Sequence, residues 1–286
     1  MISGFLLINK KEGITTNSIN NLVKKKLNIK KVGHIGTLDP FASGLVILAI
    51  NEATKFIPYV DDTYKSYIGT IKLGEYTSTL DNTSEVIERK NVNKYSINEI
   101  NSILNSFLGK SKQIPPRYSA KSINGVRAYD LARDNKEFEL KEIDIEIKEI
   151  SLIKYDEKNN TIKFSCVVSK GTYIRSLALD IAKKLNTTGH LISLVRETIG
   201  RYSLSNAINE EDISFTNIIS IEEFIPFDIY EIDTRLYSFV KNGNQVNINS
   251  NSDYLLLTYK GKLMALYKKG YNIYVCERKI NDEYLW

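Results

Sequence analysis

The feature that most constrains the fold is the segment from Gly33 to Ile50, which reads GHIGTLDPFASGLVILAI. Its first part, up to Gly44, holds three glycines and one proline, a composition typical of a tight loop. Its last six residues are all apolar, and such a run predicts a strand that is buried inside a sheet. We therefore expect a stiff loop that leads directly into the core of a folded domain.

The loop carries a single carboxylate, that of Asp39, immediately before Pro40. Proline disfavours a helical backbone at the residue before it, so Asp39 sits in an extended or turn conformation. Its carboxylate is then either a chemical group presented from a stiff loop or the cap of a turn through its own backbone. Spacing alone favours neither interpretation.

The composition of this segment differs from that of the rest of the chain. Lys, Asn, Ile, Tyr and Ser dominate elsewhere, whereas residues 33–45 contain no Lys, Asn or Tyr. Six of the nine arginines lie in one stretch between Arg117 and Arg201. Arginine also serves structural ion pairs, so the clustering indicates functional side chains only together with other signals.

Length and composition exclude several classes of protein. A chain of 286 residues can bury a large core, and its two cysteines lie far apart, so we expect neither a disulfide framework nor a zinc site. No apolar run is long enough to span a membrane, and the N-terminal segment lacks the pattern of a signal peptide. We expect a cytoplasmic protein. The net charge of +5 permits a polyanionic partner without requiring one.

The hydrophobic pattern predicts an α+β fold. Apolar runs and alternation predict strands, and helical spacing with capping residues predicts helices. The predicted strands are Phe5–Ile8, Leu45–Ile50, Lys65–Leu73, Ile143–Ile147 and Ile162–Val168; the predicted helices are one that is capped by Thr15 or Thr16 and runs to about Leu27, Ile97–Leu108 and Ile174–Leu185; the predicted loops are Gly33–Gly44 and Gln113–Ala120.

The pattern changes from about Tyr230 onward to short strands separated by glycine turns. We expect strands at Tyr254–Tyr259, Leu263–Tyr267 and Tyr271–Cys276, which together indicate a small all-β module. The predicted domains are therefore residues 1–229, of a size typical of a catalytic domain, and residues 230–286.

Further candidates for chemistry are single residues, and each has a structural alternative. Arg175, in KGTYIRS on the first turn of a predicted helix, can pair with a carboxylate or clamp a phosphate, or it can be a solvated surface residue. Tyr67 and Tyr173 can stack on a ligand or simply fill the core. Leu194 and His190 are more typical of packing.

Taken together, these segments resemble the TruB-type family of pseudouridine synthases, whose members isomerise a uridine in the T loop of tRNA, at position 55. The resemblance rests on ordered motifs across most of residues 4–205. They are LLINKKEGITTN, GHIGTLDPFASGL, KSYIGTIKLGEYTSTLD, QIPPRYSAKSINGVRAYDLAR, SKGTYIRSLALDIAKKL and HLISLVRETIGRYSL.

The resemblance implies a role for each candidate. Asp39 would be the nucleophile, Arg175 its ion-pair partner, and Tyr67 the residue that stacks on the uracil and acts as a base. His34 would help to displace the target nucleotide, which must leave its stack to react. Tyr173 and Leu194 would line the uracil pocket. Whether Asp39 attacks the base or the ribose, or assists an elimination, stays open.

The resemblance also implies a mixed, largely antiparallel central sheet flanked by helices, with a PUA-like RNA-binding module in residues 230–286. It implies no metal and no organic cofactor, because the reaction is a redox-neutral isomerisation. The expected partner is the T arm of tRNA, bound by a monomer that needs no protein partner and no membrane. The alternatives are a non-catalytic tRNA chaperone, the catalytic subunit of a guide-RNA particle, and an enzyme of small metabolites.

Overall fold

The structure, a computed structural model, describes residues 2–119, 121–123, 125–134 and 138–281, so Ala120, the last residue of one predicted loop, lies outside the described residues. Within these residues the α-helices are α1 Thr16–Leu27, α2 Ile97–Asn105, α3 Ala128–Arg133, α4 Ile174–Lys184, α5 Ile221–Phe224 and α6 Thr234–Lys241. The strands are β1 Gly4–Lys10, β2 Val32–Ile35, β3 Ser43–Ile50, β4 Tyr64–Leu73, β5 Glu75–Thr77, β6 Val86–Arg89, β7 Gly109–Gln113, β8 Ser122–Ile123, β9 Val126–Arg127, β10 Ile143–Asp156, β11 Thr161–Ser169, β12 Gly189–Ile199, β13 Tyr202–Ser203, β14 Ile208–Asn209, β15 Asp228–Glu231, β16 Tyr254–Tyr259, β17 Lys262–Lys269 and β18 Tyr274–Lys279.

Ten of the described strands form one central sheet in the order β14-β1-β3-β12-β4-β11-β10-β7, with β2 beside β3 and β13 beside β12. The pairs β1–β14 and β3–β12 are parallel, and the other neighbours are antiparallel. The sheet is therefore mixed and largely antiparallel, which confirms the predicted fold class.

Strand β3 shows why the apolar run in the sequence is unbroken. Successive side chains of a strand point to opposite faces of the sheet. Val46 and Leu48 enter a core beneath the helices, whereas Leu45 and Ile47 enter a second core on the other face. Because both faces are covered, every position of β3 from Leu45 onward is buried.

Three helices cover the first face and begin where the sequence predicts. Thr15 caps α1 by accepting a hydrogen bond from the Ser18 amide, and Ser96 and Glu99 form a capping box at α2. The apolar stripes of α1, α2 and α4 enter the core on this face. Helix α2 ends at Asn105, however, and the predicted extension to Leu108 is wrong, since Leu108 is exposed and Gly109 already begins β7.

The second face is covered by the C-terminal part of the chain. Strands β15 to β18 form a four-stranded sheet whose apolar residues, such as Leu256 and Leu266, share one core with Leu45 and Ile47 of β3. Two details of the predicted all-β module are wrong. Helix α6 lies within it, and its last strand begins at Tyr274, three residues later than predicted.

One more prediction is wrong, and it concerns the loop that carries Asp39. Residues Val32 to Ile35, partly assigned to this loop, form β2 and pair with the second half of β3. Glycine has low strand propensity, but the backbone edge of β3 is open there because β12 pairs only with Ser43 and Gly44. Backbone pairing therefore outweighs the local preference, and the true loop starts at Gly36.

Candidate active site

The six residues to which the family resemblance assigns a role line one pocket of about 430 Å³. They reach it from separate parts of the chain: from β2, the loop before β3, β4, β12, and the start of α4. The six residues are His34, Asp39, Tyr67, Tyr173, Arg175 and Leu194.

The loop that carries Asp39 is held on both sides of this residue. The Leu38 amide and the Thr16 hydroxyl of α1 are hydrogen-bonded at 3.1 Å, and the Gly13 amide donates to the Pro40 carbonyl at 2.8 Å. The buried ammonium of Lys10 also donates to the Pro40 carbonyl, at 3.3 Å. Asp39 is thus fixed in position before any ligand binds.

Gly44 explains how the loop can enter the sheet at this point. Its backbone has a φ of +108°, and a Cβ atom would lie 2.3 Å from the carbonyl oxygen of Arg196 in β12. Only glycine tolerates this conformation and this close approach. The loop therefore passes directly against β12, the strand that also carries Leu194.

Asp39 and Arg175 form a bidentate ion pair. The Nε and Nη2 atoms of Arg175 donate to the two carboxylate oxygens of Asp39, at 2.8 and 3.1 Å. Nη1 and Nη2 also donate to the carbonyls of Thr79 and Tyr118, at 2.8 and 2.9 Å. Arg175 is only 5% exposed, whereas the side chain of Asp39 is 36% exposed. We call these two residues the Asp39 wall, in which a fixed guanidinium orients a carboxylate that faces the pocket.

A second carboxylate, that of Asp81, was missed by the sequence analysis. It is buried, and one oxygen lies 3.7 Å from Nη1 of Arg175. Its other contacts are hydrogen bonds from Thr79 and Thr83 in its own loop. It lies within the motif KSYIGTIKLGEYTSTLD, but a lone aspartate in a loop gave no signal of its contact with Arg175.

Tyr67 lies on the central strand β4, opposite Arg196 of β12 in the register. Its ring is buried, and burial raises the pKa of its hydroxyl while the neighbouring positive charge of Arg196 lowers it. Burial also raises the pKa of Tyr173, whose backbone amide and carbonyl are both hydrogen-bonded to the side chain of Gln113. Both phenols are therefore neutral at pH 7.

The remaining candidates differ in their surroundings. His34 is hydrogen-bonded to Asn20 at 2.9 Å and to Thr37 at 3.1 Å, and burial together with Arg196 lowers the pKa of its imidazole.

Leu194 is buried and pairs with Gly69 of β4. His190 lies outside the pocket, where its ring is hydrogen-bonded to the Glu75 carbonyl.

Three charged residues that the sequence analysis did not select line another part of the pocket. Lys65 and Lys170 share the carboxylate of Asp62, at 3.5 and 2.9 Å respectively. We call these three residues the Lys65 wall. Lys65 lies two residues before Tyr67 on the same strand, so the alternation of side chains could have placed both on one face.

The described residues offer neither a metal-binding cluster nor a membrane-spanning helix. In the described ranges no three His, Cys, Asp or Glu side chains lie close enough together to hold a metal ion. Among those residues, too, no helix has the length and apolar character needed to cross a membrane.

Comparison with known proteins identifies relatives over nearly the whole chain. Residues 24–174 match the N-terminal domain of the TruB family of pseudouridylate synthases. The tRNA pseudouridine synthase B of Mycoplasma mobile is 40% identical over 260 residues, which are 91% of this chain and 88% of that protein. That of Mesoplasma florum is 37% identical over 96% of this chain and 97% of its own.

Solved structures share the fold at lower identity. A chain of a Cbf5–Nop10–Gar1 complex superposes with a TM-score of 0.68 and 19% identity, covering 97% of this chain and 84% of its own. A chain of an H/ACA RNP bound to a substrate RNA gives a TM-score of 0.66 at 19% identity, with 99% and 88% covered. These two similarities establish a common architecture.

Proposed function

The chain belongs to the TruB family of pseudouridylate synthases and is an isomerase, and from this premise we propose that it converts a uridine in the T loop of tRNA to pseudouridine. The bond between ribose C1′ and uracil N1 breaks, the base rotates, and C1′ joins uracil C5. The relatives named tRNA pseudouridine synthase B support tRNA as the substrate. The T loop as the site of reaction is our inference from the resemblance of the motifs.

The observation that carries the proposal is the Asp39 wall. Nucleophilic work by a carboxylate requires an oxygen held at a fixed place beside the substrate. Arg175 carries a permanent positive charge, and its two parallel hydrogen bonds hold both carboxylate oxygens of Asp39 in one orientation. We propose that Asp39 is the nucleophile of the reaction.

A uridine inside a folded T loop cannot reach this carboxylate unless it leaves the stack of bases. We therefore propose base flipping into the pocket, with the uracil stacked on Tyr67 and lined by Tyr173 and Leu194. The phenolate form of Tyr67 is the proposed acceptor of the proton that leaves the sugar or C5. Arg196, which lowers the pKa of this phenol against the effect of burial, favours formation of that phenolate.

His34 lies on β2, at the edge of the same pocket. Because burial and Arg196 lower the pKa of its imidazole, we propose that a neutral ring occupies the space vacated by the flipped nucleotide. A neutral ring stacks on bases without adding a charge to the pocket. Its two hydrogen bonds, to Asn20 and Thr37, fix its orientation.

We propose that residues 1–229 form the catalytic domain and residues 230–286 a PUA-like module that binds RNA on the acceptor side of the tRNA, and that the protein binds the T arm as a monomer. The hairpin of β17 and β18 supports a nucleic-acid contact, since Lys268, Lys269 and the fully exposed Tyr271 lie at its tip. The module shares its core with β1 and β3. Truncation at residue 231 would therefore expose that core, so surface substitutions are the better test of its role.

The experiment that tests the proposed function measures release of tritium from tRNA transcripts labelled at uridine C5, because forming the C1′–C5 bond expels that hydrogen. A transcript with cytidine at the T-loop target is the control. We expect release from the first transcript and none from the second. Undiminished tRNA binding without any release would instead identify the protein as a non-catalytic tRNA chaperone.

A further inference from the structure

Two buried lysines near the pocket differ in how many hydrogen bonds their ammonium groups make. Lys10 is fully buried and donates to three carbonyls, those of Lys11, Ile14 and Pro40. Lys65 is 7% exposed, and within the described ranges its ammonium has one contact, with Asp62 at 3.5 Å. Because an ammonium group has three donors, Lys65 retains unused donors beside the pocket that it lines.

The charges around Lys65 do not balance either. Lys170, whose side chain is 68% exposed at the rim, holds Asp62 more closely, at 2.9 Å. Arg196 is buried beside the pocket and donates to the carbonyls of Leu45, Gly36 and Thr37. This side of the pocket thus holds three cations and one carboxylate among the residues that the structure describes. Burial, Arg196 and Lys170 accordingly lower the pKa of Lys65.

The geometry of the loops fixes this arrangement. The Lys170 amide donates to the Thr63 carbonyl at 2.7 Å, which ties the segment after β11 to the segment that carries Asp62. A Cβ atom on Gly36 would lie 3.3 Å from Cε of Lys65, so the loop backbone closes over this side chain. Lys65 is thereby held with its free donors at the pocket.

We propose that the Lys65 wall binds a backbone phosphate adjacent to the flipped uridine. This inference rests on the proposed function, because it concerns how the same pocket holds its nucleotide. A phosphodiester supplies one of the two missing negative charges and two acceptor oxygens, which match the spare donors of Lys65 and the exposed ammonium of Lys170. The position of Lys170 at the rim suits a phosphate, which stays with the RNA backbone when the base enters. A uracil carbonyl could take the donors but would leave the charge excess uncompensated.

The test uses T-arm hairpins labelled with tritium at C5 of the target uridine and carrying one uncharged methylphosphonate, either 5′ or 3′ of that uridine. Wild type and Lys65→Met are compared on these hairpins and on the unmodified one. Lys72→Met is the matched control, since Lys72 lies on the same strand, outside the pocket, and donates to the Asn159 carbonyl. Thermal melting of each variant checks that it is folded.

We expect Lys65→Met to lower kcat/KM on the unmodified hairpin by about tenfold, and one of the two methylphosphonates to lower that of wild type equally. On the methylphosphonate hairpin that impairs wild type, the kcat/KM of Lys65→Met should fall by no more than about a further twofold, because the substitution and the methylphosphonate remove the same interaction. Lys72→Met should behave as wild type on every hairpin.

Two results would overturn the proposal: methylphosphonates at both positions that leave wild type unaffected, or losses that multiply in Lys65→Met. If Lys65→Met is unfolded, the activities of wild type on the unmodified and the two methylphosphonate hairpins test the proposal on their own. Tritium release by wild type from the unmodified hairpin upholds the proposed function in either case, so the two failures can be distinguished.

Discussion

The Asp39 wall and the Lys65 wall place charged side chains in the same pocket, but they differ in how fully those side chains are hydrogen-bonded. Every nitrogen of the Arg175 guanidinium donates to Asp39 or to a backbone carbonyl. The ammonium of Lys65 has one long contact. A guanidinium whose nitrogens all donate hydrogen bonds holds a reactive group in one geometry, whereas an ammonium with unused donors can bind a ligand. The contrast shows how one pocket can be rigid where chemistry occurs and available where the substrate binds.

The largest effect expected from breaking this contrast is that of Arg175→Met. It leaves Asp39, Thr79 and Tyr118 without their donor, so tritium release should fall by about a thousandfold. The substitution also leaves the buried carboxylate of Asp81 without its neighbouring positive charge, which should lower the free energy of unfolding by about 3 kcal/mol. Arg235→Met, which removes an exposed arginine paired with Asp233, is the control and should change neither quantity. Unimpaired tritium release by Arg175→Met would show that the ion pair of the Asp39 wall is not needed for turnover.

Tyr67→Phe should have the next largest effect. It keeps the ring for stacking and removes the hydroxyl, so turnover should fall by about a hundredfold while KM stays near that of wild type. The control is Tyr155→Phe, because the Tyr155 hydroxyl is also buried but has no hydrogen-bond partner among the described residues. If both variants retain full turnover, the hydroxyl of Tyr67 has no role in proton transfer.

Stability measurements sharpen the comparison between the two buried lysines. Lys10→Met leaves three carbonyls without their donor and should lower the free energy of unfolding by about 2 kcal/mol or more. Lys65→Met loses one long contact, and Asp62 keeps Lys170 as its partner, so the free energy of unfolding should fall by less than about 1 kcal/mol. Urea unfolding at neutral pH measures both values, and equal costs would contradict the distinction between saturated and unsaturated ammonium groups.

The pH dependence of stability gives a second test of Lys10. Burial lowers the pKa of Lys10 to about 8 from its ordinary value of 10.5. Between these two values the unfolded chain binds the proton and the folded chain does not, so this residue makes stability rise with pH. The slope should approach about 1.4 kcal/mol per pH unit at most. The difference in unfolding free energy between wild type and Lys10→Met should therefore grow from pH 8 to pH 10, and a constant difference would contradict the shift.

The smallest effect is expected far from both walls. Replacing Lys268 and Lys269 at the tip of the β17–β18 hairpin with serine should weaken binding of full-length tRNA by about fivefold and reduce its salt dependence. Binding of a minimal T-arm hairpin should be unchanged. Equal weakening of both RNAs would place the contact on the T arm, contrary to the proposed role of residues 230–286.

The sequence predicted elements whose local signals agree with their surroundings. The unbroken apolar run of β3, the capping box at Ser96 and the alternation in β11 all have a direct physical cause in the structure. Strand β2 was missed because its pairing depends on the free backbone edge of β3. That edge is a product of the tertiary fold, and no local residue pattern reports it.

The candidate site likewise contains residues that a sequence motif selects and residues that only the tertiary fold brings into place. Asp39, Arg175 and Tyr67 come from separate motifs, and the resemblance of these motifs to those of a known family selected the three residues without any knowledge of their contacts. Asp81 has no comparable local signal, because its contact with Arg175 arises only when distant segments fold together. Lys65 lies only three residues after Asp62, but Lys170, which completes the Lys65 wall, comes from a distant segment.

The measurement that tests the account most directly compares wild type with Asp39→Asn in the tritium-release assay under single-turnover conditions. The amide has the same shape and can still accept a hydrogen bond from Arg175, but it carries no nucleophilic charge. We predict that release falls by about a thousandfold or more, with tRNA affinity within about threefold of wild type. Release that survives the substitution would contradict the assignment of Asp39 as the nucleophile.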